Sequence, residues 1–219
     1  MTASIFYYEI NDDLNEEEQS NLIDLWINEI PAEKKLKIQS LRLKKDQFLS
    51  LAGLKLLQLG VSKLSNSELS LSQLHFPFHK KPFIKEDIDF NISHSGKIVC
   101  CAISEDLNIG IDVELQRDVS TATMTKFLSE NNLGSDENNK QRFFKLWTIY
   151  ESIIKAANHG SIFNIENIVL EEEKGIYQEE NWYFYPINIK SKESDKKYTC
   201  HIACSEKTDK INIQKIINL

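Results

Sequence analysis

The chain has 219 residues and a mass of 25.4 kDa, of which 41% are hydrophobic, 27% charged and 10% aromatic, a composition that excludes a disordered chain and supports a sizeable core. Lys and Arg number 26 against 33 Asp and Glu, a formal charge of -7 with a pI near 5.3. A whole-surface affinity for nucleic acid or anionic membrane is thereby excluded, and any anion site must be local.

No run approaches the roughly 20 apolar residues of a membrane span. The start, MTASIFYYEINDD, lacks the basic-then-apolar pattern of an export signal, so a cytoplasmic protein is expected. Gly (7) and Pro (4) are scarce, and no Ser/Gly-rich linker or internal period marks a sharp boundary. Residues 4–10, SIFYYEI, read as an opening strand. NDDLNEEEQSNLIDLWINEI then reads as a helix, with Leu22, Leu25, Trp26 and Ile30 at helical spacing and Pro31 as its stop. The following AEKKLKIQSLRLKKDQFLSLAGLKLLQLG is the one strongly basic stretch. Its Leu36, Leu43, Phe48, Leu51, Leu54, Leu56 and Leu57 predict a helical segment ending at Gly60.

HFPFHKKPFI leads to DFNI, a short strand broken by a polar turn at SHSG, after which KIVCCAIS resumes strand character. In IGIDVEL the residues Ile109, Ile111, Val113 and Leu115 face inward, with Gly110, Asp112 and Glu114 on the opposite face. A short helix, TATMTKFLSE, and a mobile loop, NNLGSDENNK, precede QRFFKLWTIYESIIKAANHG, a helix whose end is marked by Asn158 and Gly160. The remainder, from IENIVL through NWYFYPINI and KYTCHIACS to KINIQKII, is a string of strands. The fold class predicted is α+β with mostly antiparallel strands. Cys100, Cys101, Cys200 and Cys204 sit in strand-like surroundings and read as buried reduced thiols. A zinc site from Cys200, Cys204 and His201 is disfavoured, because adjacent Cys100 and Cys101 point to opposite faces of a strand.

Three clusters could carry chemistry. Asp112 and Glu114 share a strand face within reach of one hard divalent cation, although alternation of charge with Ile and Val is also what any half-buried strand shows. Glu151 and Lys155 are i and i+4 on one helix face with Trp147 one turn earlier, which alone would be an ordinary surface ion pair. Ser93 and His94 in FNISHSG could grip an anion through exposed N–H groups, or merely make local bonds. Lys80 and Lys81 before Pro82, and Lys34, Lys35 and Lys37, add positive charge to an acidic protein.

The order KKP, FNISHSG, IGIDVE, LWTIYESIIKA resembles the Sfp-type 4'-phosphopantetheinyl transferases, which activate carrier domains of nonribosomal peptide and polyketide synthetases. The likeness runs from about Lys34 to Gly160 and meets both the glycine-hydrophobic-Asp-hydrophobic-Glu strand and the Trp-x-x-x-Glu-Ser-x-x-Lys helix. The resemblance implies two similar α+β halves, 1–106 and 107–219, related by a pseudo-twofold axis, with coenzyme A in the cleft between them. The N-terminal half would carry contacts to the 3'-phosphate and nucleotide, the C-terminal half the metal and catalytic residues. It implies Mg²⁺ held by Asp112, Glu114 and Glu151 against the pyrophosphate. Ser93 and His94 would bind phosphate, Lys34, Lys37 and Ser50 would stand near the 3'-phosphate, Lys81 near the nucleotide, and Lys155 would reach the pyrophosphate.

The implied reaction is attack of a serine hydroxyl of an apo acyl or peptidyl carrier protein on the β-phosphate of coenzyme A, releasing 3',5'-adenosine bisphosphate. Glu151, directly or through a metal-bound water, is the candidate base. The alternative is a coenzyme A-binding protein of the same fold without turnover. Tyr150 stands where many members carry Lys, and the segment after Lys155 reads AANHGS where a Gly-rich basic tail is usual, with His159 and Gly160 only loosely retained. The segment Thr121 to Lys140 is the expected docking surface for the carrier, and the resemblance implies a monomer.

Overall fold

The computed structural model describes residues 1–10, 14–65, 68–77, 80–84, 88–130, 138–158 and 162–219. Strand β1 (Thr2–Glu9) is buried along almost its whole length because both of its faces are covered. Phe6 and Tyr8 turn to one core, Ala3, Ile5 and Tyr7 to another. Helix α1 (Glu16–Trp26) begins at a capping box, Asn15 and Glu18 each accepting the other's backbone N–H. Two helices follow, α2 (Ala32–Gln39) and α3 (Lys44–Ser65), where the sequence predicts one segment ending at Gly60. The chain breaks at residues 40–43, with the Ser40 hydroxyl turned back onto the Lys37 carbonyl at 2.7 Å. Gly60 lies inside α3, not at its end, because a Cβ there would come within 2.4 Å of Ile103 Cδ1 and 2.8 Å of the Phe6 ring. Its role is close packing on the sheet.

Strands β2 (Asp89–Ser95), β3 (Ile98–Ser104) and β4 (Ile109–Leu115) follow, then α4 (Thr121–Glu130) and α5 (Asn139–Ala156). The expected turn at SHSG is not observed. Ser93, His94 and Ser95 continue β2, paired with Cys100, Val99 and Ile98. The reversal falls at Gly96 and Lys97, where Gly96 takes the left-handed φ of 62° that favours glycine. Beyond a 3-10 turn at Ile162–Asn167, where the IENI part of a strand was expected, lie β5 (Val169–Leu170), β6 (Lys174–Tyr177), β7 (Glu180–Pro186), β8 (Tyr198–Cys204) and β9 (Lys210–Ile216). The expected loop NNLGSDENNK lies largely outside the described residues, as do His159 and Gly160. Asn158, at φ 61°, does mark the end of α5.

The strands form two sheets, β2-β3-β1-β9 and β4-β8-β7-β6-β5, antiparallel except where β9 returns to run parallel beside β1. Among the described residues three cores hold the layers. Helices α1 to α3 pack on the outer face of the first sheet, the two sheets pack on each other, and α4 and α5 cover the far face of the second. The fold is thus α+β in four layers. Cys101 belongs to the first core and Cys100 to the second, as opposite faces of β3 require. Among the described residues no helix is long and apolar enough to cross a membrane.

Candidate active site

Strands β2 and β4 are both sheet edges, and they face each other where the two sheets meet. A buried edge leaves a row of N–H groups that must find acceptors. Here the side chains of β2 supply them. Asp89 Oδ2 accepts from Ile109 N at 2.7 Å, Asn91 Oδ1 from Ile111 N at 2.9 Å, Ser93 Oγ from Val113 N at 3.3 Å and Ser95 Oγ from Leu115 N at 3.1 Å. The period-two run of polar residues in DFNISHS therefore forms a side-chain ladder between the two sheets.

The same seam orients two carboxylates. Ser93 donates its proton to Asp112 Oδ1 at 2.9 Å, and Ser95 donates to Glu114 Oε2 at 2.7 Å. Asp112 is only 4% exposed, so its face of β4 is covered, not solvated. The cover is α5. Gly110 of β4 lets it approach, since a Cβ there would lie 2.1 Å from Ser152 O and 2.4 Å from Ala156 N. At that separation Glu151 and Lys155 flank Asp112. Lys155 Nζ stands 2.6 Å from Asp112 Oδ1, 3.4 Å from Ser93 Oγ and 3.7 Å from Glu151 Oε2.

Charge is crowded here. Burial pushes the Glu151 carboxyl above the usual range, and repulsion from Asp112 and Glu114 adds to it against the pull of Lys155. Burial also raises Glu114, with Asp112 adding and the Ser95 hydroxyl opposing. Lys155 loses stability as a cation through burial, yet Asp112 and Glu151 more than compensate and hold its pKa above the ordinary value. His201, opposite Asp112 in the register with β8, is buried, and its Nδ1 lies 2.7 Å from Thr148 Oγ1. Burial, then the charge of Lys145, lowers it to about 4, so it stays neutral.

The remaining predicted residues lie at different distances from this centre. The His94 side chain is exposed, yet the surrounding protein mass lowers its pKa, with Asp46 opposing and Lys155 and Lys34 reinforcing the shift. Lys34, half-buried on α2, lies 5.1 Å over the Phe76 ring and is depressed by burial and by neighbouring Lys37. Lys34 is thus an electrostatic neighbour of both His94 and Lys37. Ser50 lies on α3, one turn before Gly53, whose backbone meets Ile92 of β2. Lys81 is held in the seam itself, its Nζ 2.6 Å from both Asp89 Oδ2 and Ile109 O, and its N–H donating to Asn158 Oδ1 at 2.7 Å. Sequence reasoning missed Asp89, Asn91 and Ser95. The signal was present in the alternation of DFNISHS, but small polar residues there read as a turn.

Among the described residues no three His, Cys, Asp or Glu side chains converge closely enough to form a ready metal centre, and the Lys155 ammonium stands among the carboxylates instead. Two features nevertheless fit a divalent cation. Asp112 Oδ2 is buried without a hydrogen-bond partner, and carboxylate repulsion that a cation would relieve adds to the rise of Glu114, from Asp112, and of Glu151, from Asp112 and Glu114. All-oxygen donors of this kind suit a hard ion.

The class these elements define is recognisable by comparison. A family model for the 4'-phosphopantetheinyl transferase superfamily matches residues 108–203, which span β4, α5 and nearly all of β8. The chain is 33% identical over 193 residues to the 4'-phosphopantetheinyl transferase gsp of Aneurinibacillus migulanus, covering 80% of this chain and 78% of that protein. It is 32% identical over 140 residues to the 4'-phosphopantetheinyl transferase Sfp of Bacillus subtilis, covering 60% and 61%. Against HetI of Nostoc the identity is 34% over 93 residues, 39% of each chain. The chain belongs to the 4'-phosphopantetheinyl transferase superfamily, a class of transferases.

Proposed function

We propose that the chain transfers the 4'-phosphopantetheine group of coenzyme A to a serine hydroxyl of an apo acyl or peptidyl carrier protein. The observation that carries this reading is the polar face formed by Asp112, Glu114, Glu151 and Lys155, with Asp112 Oδ2 buried and unpaired. Asp112, Glu114 and Glu151 would hold Mg²⁺, which when bound supplies charge neutralisation to the pyrophosphate. Lys155 then has a second task. Its ammonium, held above its ordinary pKa by Asp112 and Glu151, stays positive and lies ready to pair with a phosphate oxygen.

Glu151 takes the proton of the incoming serine hydroxyl as its oxygen bonds to the β-phosphorus. The bond from that phosphorus to the bridging oxygen breaks, and 3',5'-adenosine bisphosphate leaves with the bonding pair. Lys34, Lys37 and Ser50 would receive the 3'-phosphate, with Ser93 and His94 at the phosphates and Lys81 beside the nucleotide. Ser93 has a single proton, now donated to Asp112, and meets a phosphate oxygen only by redirecting it. We read the protein as a cytoplasmic monomer, its cleft closed by two halves of one chain, 1–106 and 107–219, with β9 crossing back to the first sheet. The helix α4 at Thr121–Glu130 begins the segment assigned to carrier docking.

The test is the intact mass of a purified apo carrier domain incubated with this protein, coenzyme A and Mg²⁺. A phosphopantetheine-sized gain that disappears with chelator is the expected result. Glu151→Ala should abolish the gain while leaving coenzyme A binding largely in place. Coenzyme A binding with no mass gain over a panel of carriers would overturn the transferase reading in favour of a binder without turnover.

A further inference from the structure

The geometry points to Ser95 as a positioning residue that fixes the Glu114 carboxylate from across the seam between the two sheets. This inference rests on the metal-binding reading of Asp112, Glu114 and Glu151.

A serine hydroxyl has one proton to give and two lone pairs to receive with. At Ser95 the receiving side is occupied by the Leu115 N–H, at 3.1 Å. That contact stops the hydroxyl from rotating freely. Its proton is directed to Glu114 Oε2 at 2.7 Å, where the charge on the acceptor shortens and strengthens the bond. Ser95 is itself buried, so water does not compete well for either role. Among the described residues Glu114 has only weaker partners besides: Lys155 attracts it without a direct contact, and the Arg117 guanidinium lies 4.0 Å from the same oxygen with 67% of its side chain accessible.

Ser93 repeats the arrangement two residues earlier, with Val113 N–H and Asp112 Oδ1 in the equivalent places. The repeat has a simple origin. Residues two apart on β2 and two apart on β4 keep the same phase, so each β2 serine meets the carboxylate and the following N–H of one β4 dipeptide. Asn91, by contrast, accepts from Ile111 N at 2.9 Å, and Gly110 precedes Ile111 where a carboxylate would stand. Asn91 is therefore a ladder member without a positioning task, and serves as an internal control. Carboxylates that bind a metal lose affinity when the groups orienting them are removed, typically about 10- to 100-fold.

The experiment is a titration of the full chain with Mn²⁺, followed by calorimetry or by the resonance signal of the free ion, with thermal unfolding of every variant recorded alongside. Ser95→Ala should weaken Mn²⁺ binding about 10-fold. Ser95→Thr, which keeps the hydroxyl and suits a strand, should restore most of the affinity. Asn91→Ala should lower Tm, since it also orphans a buried N–H, while binding Mn²⁺ as the parent does. Unchanged affinity in a folded Ser95→Ala protein would overturn the inference, as would equal losses in Ser95→Ala and Asn91→Ala, which would make the whole seam responsible. A parent chain that binds Mn²⁺ neither alone nor with coenzyme A present would instead sink the metal reading itself, and the inference with it.

Discussion

The two long helices lie on their sheets by opposite devices. In α3 the glycines are on the helix, and the atoms crowding them are side-chain carbons: Ile92 Cγ2 lies 2.5 Å from a Cβ built at Gly53, and Ile103 Cδ1 lies 2.4 Å from one built at Gly60. The face that α3 buries is apolar apart from Gln47. Under α5 the glycines are on strands: at Gly175 the nearest atom is the tip of Ile153 at 2.6 Å, but what crowds Gly110 is the helix backbone itself, Ser152 O at 2.1 Å and Ala156 N at 2.4 Å. The face that α5 buries includes Thr148, Glu151 and Ser152. Side-chain tips can give way, whereas a backbone cannot move without carrying its neighbours. The first arrangement makes a scaffold, and the second fixes where Glu151 and Lys155 stand relative to Asp112.

The sharpest way to break this comparison is Gly110→Ala. Both closest atoms are backbone, so α5 must lift from β4, and a loss of about 3 kcal/mol is expected. For a chain of this size that is about a 10 °C drop in Tm by thermal melt. Transfer activity per folded molecule should fall as well, because Lys155 C, 2.9 Å from the added Cβ, is among the atoms displaced. Gly60→Ala should cost less, about 1–2 kcal/mol, since Ile103 Cδ1 and the Phe6 ring can shift. Activity per folded molecule should then match the parent. Equal Tm losses for the two variants would erase the distinction drawn between the helices.

The smallest effect concerns charge and sharpens the contrast. Glu151 is raised by burial first and by Asp112 and Glu114 next, so the folded protein holds its proton more tightly than the unfolded chain does. The stability this contributes is fully present below the unfolded value, near 4.5, and is lost as pH rises through the raised folded value. Glu151→Gln should therefore melt slightly above the parent at pH 8 and level with it near pH 4, measured without divalent cation. A lower Tm for the Gln variant at pH 8 would mean that the contact with Lys155 outweighs burial.

Much of this site was legible in the sequence because its parts obey local periods. Period two puts Asp112 and Glu114 on one face of β4, and spacing i to i+4 puts Glu151 and Lys155 on one face of α5. The motif order gave the family in advance of the fold. What was misread shares a single cause. SHSG looked like a turn because small polar residues favour turns, yet Ser93 and Ser95 are held in β2 by Cys100 and Ile98 on one side and serve the N–H groups of β4 on the other. Gly60 looked like a helix end because glycine commonly is one, yet its neighbours are Ile103 and Phe6, distant in the chain.

The sequence by itself determined the class of most elements, the faces on which Asp112, Glu114, Glu151 and Lys155 lie, and the family to which the chain belongs, because those depend on neighbours a few residues away. Only the tertiary structure decided that β2 and β4 meet as two edges, that serines of β2 hold carboxylates of β4, and that Lys81 closes the seam. The physical reason is that a buried edge strand must satisfy its N–H groups from whatever lies opposite. Here the acceptors lie about twenty positions earlier in the chain, at Asp89, Asn91, Ser93 and Ser95.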